Sequence, residues 1–148
     1  MLMSLIDTSV LLYAAHEDCR EHDTAKNVLK KFVEGSDPWH LTWQNIFEFV
    51  RSVTHPRGAR KVPLYIDEAM TVVRKLLATP SLQIIHPGPR HFDIFADLAG
   101  RTPGIRGNLA LDARLAAIMI ENGVRKIYTA DEGFTRFRDI DVVNPFRT

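Results

Sequence analysis

Met3 to Ala15 reads MSLIDTSVLLYAA. Met3 to Ile6 is a short apolar run that ends in Asp-Thr-Ser, after which Val10 to Ala15 resumes at a spacing compatible with helix. The stretch therefore reads as strand, turn and helix, with Asp7 at the carboxyl end of the strand. Asp7 in its middle, the lack of a basic lead and insufficient length argue against a signal peptide or a bilayer span.

The same alternation continues outward. Ala25, Val28, Leu29, Phe32 and Val33 recur at threes and fours, which predicts a helix over Glu21 to Val33 stopped by Gly35. A brief strand is expected over Trp39 to Thr42, then a helix over Asn45 to Val53 that ends at His55-Pro56, because the residue before proline avoids helical angles. Leu64 to Leu77 reads as a helix, Leu82 to Ile85 as a strand and Arg90 to Ala99 as a helix. Leu109 to Asn122 is the most regular helix, with Asn108 expected to cap its start and Gly123 its end. Lys126 to Thr129 and Ile140 to Val143 complete the set as strands. Strands alternating with helices predict an α/β fold, a three-layer sandwich with a mainly parallel central sheet of about five strands flanked by helices. Ligands of such sheets bind beyond the carboxyl ends of the strands.

A chain of 148 residues suits one domain spanning 1–148, and 45% hydrophobic with 25% charged residues gives no sign of disorder. With 19 basic against 18 acidic residues, net charge alone does not attract a polyanion, so any such partner must meet a local patch. Arg51, Arg57, Arg60 and Lys61 form one candidate patch, and Arg101, Arg106 and Arg114 another; a solvated surface is the plainer reading of both. Cys19 is the only cysteine, which excludes an internal disulfide and a cysteine-rich zinc site and suits a reducing compartment, the cytoplasm.

Four acids stand out. Asp7 and Asp131 both follow expected strands, Asp131 one alanine after Lys126-Ile-Tyr-Thr129; turn or cap aspartates are the alternative for each. Asp112 has Ala116 and Met119 at its four- and seven-residue spacings, on a largely apolar helix face where a carboxylate needs a partner. Glu48 is surrounded by Gln44, Asn45, Arg51 and Ser52 and by pattern alone is a surface glutamate; its helix, though, starts just after an expected strand, so it can overhang the same rim. The six histidines, at 16, 22, 40, 55, 86 and 91, show no metal-ligand spacing and read mostly as surface residues, with His16 or His22 as candidate contacts for a polyanion.

The order Asp7-Thr8-Ser9 after the first strand, Glu48 in Asn-Ile-Phe-Glu-Phe-Val-Arg, Asp112-Ala-Arg-Leu-Ala-Ala, and Thr129-Ala-Asp131 followed by Phe134 resembles the PIN-domain family, and within it the VapC toxins. The likeness runs from Asp7 to the closing Val-Val-Asn-Pro at 142–145. It implies a magnesium-dependent endoribonuclease with Asp7, Glu48, Asp112 and Asp131 as catalytic acids, the metal held by Asp7, Asp112 and Asp131, and manganese able to substitute. Thr8, Ser9 and Thr129 would support the pocket, while Arg51, Arg57 and Arg114 are candidate RNA contacts. The implied partners are an RNA substrate, a VapB-like antitoxin and a second copy of the chain, with no membrane.

The chemistry agrees with that implication. Two unit charges about 4 Å apart repel by on the order of 4 kcal/mol at an effective dielectric near 20, so clustered carboxylates call for a hard divalent cation. Two other functions compete: a non-catalytic nucleic-acid-binding module of the same fold, against which the four intact acids speak, and a small phosphate-ester hydrolase with an aspartate nucleophile, for which no lysine-bearing phosphate motif is present.

Overall fold

The computed structural model describes residues 3–58 and 60–147. Five strands, β1 (Ser4–Ile6), β2 (Trp39–Leu41), β3 (Leu82–Ile84), β4 (Lys126–Tyr128) and β5 (Asp141–Val143), form one sheet in the order β3-β2-β1-β4-β5, and every pairing is parallel. Six helices flank it: α1 (Thr8–Ala14), α2 (His22–Glu34), α3 (Trp43–Thr54), α4 (Ile66–Leu77), α5 (His91–Gly100) and α6 (Asn108–Glu121); a 3-10 turn spans Glu132–Arg136. Each strand is only three residues long, so it is the two packed faces that stabilise the sheet.

Ile6, Trp39 and Leu41 point to the face covered by α1, α2, α3 and α4, while Leu5 and Ile127 point to the face covered by α5 and α6. Nearly the whole circumference of α6 is buried: Ala113, Leu115, Ala116, Ala117, Ile118 and Met119 all lie inside. Its alanines permit close approach, and each fully buried Leu, Ile or Met contributes about 1.5–3 kcal/mol through lost apolar hydration. The apolar set of α4 divides, with Val73 and Leu76 buried and Ile66, Met70 and Leu77 exposed. Among the described residues, no helix is long and apolar enough to cross a membrane.

One helix start differs from expectation, and two helix stops follow it. Asn108 is the first residue of α6 and makes no capping bond; the cap position belongs to Gly107, whose φ of 56° favours a residue without a Cβ. Gly35 ends α2 in an extended conformation with φ at −78°, and what requires glycine is space, since a Cβ there would meet the Lys31 carbonyl oxygen at 2.8 Å. Gly123 does take the left-handed conformation expected after α6, with φ at 72°.

With this strand order the connections diverge on either side of β1, and the crevice between β1 and β4 is the topological switch point of the sheet. Asp7 follows β1 and Asp131 lies just beyond β4, so the two flank that crevice.

Candidate active site

Asp7 stands at the junction of β1 and α1 with 8% of its surface exposed. Thr129 Oγ1 donates to its Oδ2 at 2.7 Å, Ser9 Oγ lies 3.4 Å from the same oxygen, and Asn45 Nδ2 donates to Oδ1 at 3.4 Å. None of these donors is charged. Burial pushes the Asp7 carboxyl above its ordinary pKa, the bonds from Thr129 and the Thr8 backbone pull it down, and the charges of Glu48 and Asp131 push it up again.

Thr129 also joins the two strand ends, because its hydroxyl accepts the Asp131 amide at 2.9 Å while donating to Asp7. Ser9 does similar work from α1, accepting the Ala130 amide at 3.0 Å. Asp131 caps the 3-10 turn by accepting from the Gly133 amide at 2.8 Å and leaves its carboxylate exposed.

Glu48 is half-buried and fixed from two sides, by Thr8 Oγ1 on Oε2 and Gln44 Nε2 on Oε1, both at 3.1 Å. Arg114 donates to Gln44 Oε1 at 2.5 Å, so its charge stands behind an amide and not against a carboxylate. Asp112 projects from α6, one residue before the buried stretch that starts at Ala113. Its pKa is pushed up to about 7 by burial first, then by the charges of Asp131 and Asp7, a hydrogen bond with Asp131, and the charge of Glu48. That list contains all three other acids, so the four side chains share one electrostatic site at the rim of the sheet.

Asp7, Glu48, Asp112, Asp131, Thr8, Ser9 and Thr129 are thus brought together. Among the described residues, no ion pair reaches any of the four acids. Nor do three His, Cys, Asp or Glu side chains there stand close enough to hold a metal ion by themselves. This spacing suits an ion that keeps several waters and takes one or two carboxylates directly, and all-oxygen donors suit a hard cation. Arg51 and Arg57 lie apart, exposed on the last turn of α3 and the loop after it, where they line a shallow hollow with His55. Arg101 is unavailable to an outside partner, being paired with Asp97 at 3.0 Å and Asp139 at 2.5 Å.

Sequence reasoning missed Asn45. It is fully buried; its Oδ1 accepts the Thr42 amide at 3.1 Å, its own amide donates to Thr42 Oγ1 at 3.2 Å, and its Nδ2 reaches Thr8 at 3.2 Å as well as Asp7. The Thr42-x-x-Asn45 spacing of a capping box was the available signal. Gln44 and Asn45 looked like evidence for a solvated Glu48 face, yet they form the network that positions Glu48 and Asp7. The expectation of surface histidines also fails at His40, which is 1% exposed on β2 with neither ring nitrogen bonded; burial lowers its pKa.

The PIN domain profile matches residues 4–140. Ribonuclease VapC43 of Mycobacterium tuberculosis is 35% identical over 136 residues, which cover 92% of this chain and 90% of that protein. Among solved structures, VapBC2 from Rickettsia felis, bound to a DNA fragment from its promoter, superposes with a TM-score of 0.70 at 16% identity, covering 97% of this chain and 98% of that one. VapC20 of M. tuberculosis, a toxin that cleaves the sarcin-ricin loop, gives 0.65 at 15% identity over 93% and 98%. The sheet order, the acids flanking its switch point and these likenesses agree: the chain belongs to the PIN-domain family, among its VapC ribonucleases.

Proposed function

We propose that this protein is an endoribonuclease that hydrolyses RNA phosphodiester bonds with a bound magnesium ion, manganese serving as substitute, and that it is the toxin of a VapBC-type pair. The observation that carries the reading is a group of four carboxylates at one rim with, among the described residues, no cation paired to any of them; burial first, and then the charges of the other acids, push Asp112 up to about 7. Such a group is poor at binding anionic RNA unless a divalent ion offsets its charge.

Asp7, Asp112 and Asp131 would hold the ion, one or two of them directly and the rest through its bound waters. When bound, it supplies positive charge next to the scissile phosphate and acidifies a water for attack on phosphorus. Glu48, clamped by Thr8 and Gln44, is placed to accept a proton from that water and to orient it. Thr129 and Asn45 keep Asp7 in one rotamer. The arginines on the last turn of α3 and in the loop after it would meet the RNA backbone. A VapB-like antitoxin and a second copy of the chain are the proposed protein partners, and the exposed Ile66, Met70 and Leu77 stripe offers apolar surface for one of them.

The test incubates the purified protein with total RNA and, separately, with a small phosphate ester, each with magnesium and with chelator. RNA cleavage that requires magnesium, with the ester untouched, supports the reading. RNA cut equally well in chelator would remove the metal from it, and RNA bound but never cut would favour the non-catalytic module.

A further inference from the structure

A cleft of about 490 Å³ lies beside the acids and not over them. Ala130, between Thr129 and Asp131, forms its inner edge; Tyr13 and Phe146 supply aromatic rings; Arg20, Glu21 and Arg147 complete the lining that matters here. Its size falls within the range of about 300–1,000 Å³ typical of small-molecule sites. We propose that this cleft is a nucleotide subsite, which takes one unstacked base of single-stranded RNA next to the phosphate that meets the acids. The inference rests on the ribonuclease reading and deepens it.

Position comes first. Ala130 is fixed by the hydrogen bond its backbone N–H donates to Ser9 Oγ, and Ser9 and Tyr13 are four residues apart on one side of α1, so the cleft continues directly from the acid rim. A chain crossing the acids next meets Tyr13 and Phe146. Their rings are held edge to face with centroids 5.0 Å apart, and both line the cleft while packing against the core behind it. Unpaired bases of single-stranded RNA are recognised by stacking on aromatic rings with hydrogen bonds to their edges.

Charge then orders the nucleotide within the cleft. Arg20 and Arg147 sit at the rim with side chains 95% and 74% exposed, each in a single long ion pair, to Glu21 at 3.8 Å and Glu132 at 3.4 Å. Such pairs are weak and yield to a phosphate. Glu21 is half-buried and repels a phosphate from the interior, while its oxygens accept N–H groups from a base edge. The base therefore enters and the phosphate stays at the mouth. Glu21 is the specificity-determining residue, favouring bases with an exocyclic amino group over uracil, whose edge offers a single N–H between two carbonyl oxygens.

The test measures binding of short single-stranded oligoribonucleotides by fluorescence anisotropy with calcium in place of magnesium, so that the acids are offset and affinity is read with cleavage suppressed. Phe146→Ala should weaken binding roughly five- to a hundred-fold through lost stacking, and Phe146→Trp should retain it. Arg147→Glu should weaken binding several-fold, while Arg138→Glu, an exposed change outside the cleft, should not. Glu21→Gln should reduce the preference for amino-bearing bases over uracil. In magnesium, the Phe146→Ala loss should appear in KM and leave kcat near wild type. Wild type that cuts RNA while Phe146→Ala and Arg147→Glu bind and cut like it overturns the subsite and leaves the ribonuclease intact, as it would if the cleft takes a protein segment. Wild type that neither binds nor cuts RNA overturns the functional reading itself.

Discussion

Asp7 is the most constrained of the four acids and the one whose charge is costliest to maintain, because its donors are hydroxyls and an amide in a buried place. Asp7→Asn keeps the shape and deletes the charge. Loss of a group that merely supports a metal ligand costs about 10–100-fold in activity, so loss of the ligand should exceed a hundredfold. Circular dichroism should show the fold unchanged and the metal-free variant melting at or above wild type; RNA cleavage at the wild-type rate would remove Asp7 from the chemistry. Asn45 makes a different case, since its side chain serves both the cap of α3 and the acid rim. Asn45→Ala should destabilise by about 2–3 kcal/mol, from a lost cap and buried groups left without partners, and should also slow cleavage. Asn45→Asp retains the cap acceptor yet adds a fifth negative charge beside Asp7, so it should restore stability incompletely and activity not at all. Equal rescue of both by aspartate would show that Asn45 serves only the helix.

At the level of elements, the 3-10 turn after β4 sets the spacing between Asp131 and Asp112. A Cβ added at Gly133 would meet Asp131 Oδ1 at 3.0 Å and Asp112 Oδ2 at 3.3 Å, contacts tight enough to displace both carboxylates. Gly133→Ala should therefore reduce cleavage at low magnesium and recover in part at high magnesium, with little change in melting temperature. A pure loss of stability with normal metal dependence would contradict this. Gly107→Ala is the counterpart at the start of α6, where a positive φ with an extended ψ costs an alanine about 1–3 kcal/mol, read as a lowered denaturation midpoint. These turns mark the limit of what was legible in the sequence. All five strands and six helices could be read from apolar period and from Pro and Gly punctuation, because burial on both sheet faces demands that pattern. The acids at strand ends could be read for the same reason, since their positions follow from where each strand stops. The 3-10 turn escaped notice, having no period to detect, as did the choice of Gly107 over Asn108 as cap, which depends on a backbone angle. Asn45 and His40 escaped because a polar residue inside a core is identified by its three-dimensional neighbours, not by its spacing.

For the molecule as a whole, the acid cluster makes folding stability depend on pH and, on the proposed reading, on divalent ions as well. Asp112 is held at about 7 against an ordinary value of 3.8, so between those pH values the folded chain keeps a proton that the unfolded chain has released. Its effect is thus mildest in acid, and stability falls as the pH rises from about 4 to 7. The raised pKa of Asp7 acts in the same direction. His40 acts in the opposite one, because its lowered pKa makes stability rise with pH until the free imidazole value of 6.5 is passed. A comparison of wild type with Asp112→Asn cancels the His40 contribution and isolates the carboxylate. In chelator, the melting temperature of the variant should exceed that of wild type by an amount that grows by about 3–6 °C between pH 4.5 and 7.5, allowing for solvent screening of a half-exposed group. Excess magnesium at pH 7.5 should then raise wild type by mass action and close the gap, because the ion binds the folded wild-type cluster far better than the variant. A difference that stays constant with pH would show that the four acids do not share one field, and the metal reading would lose its physical basis.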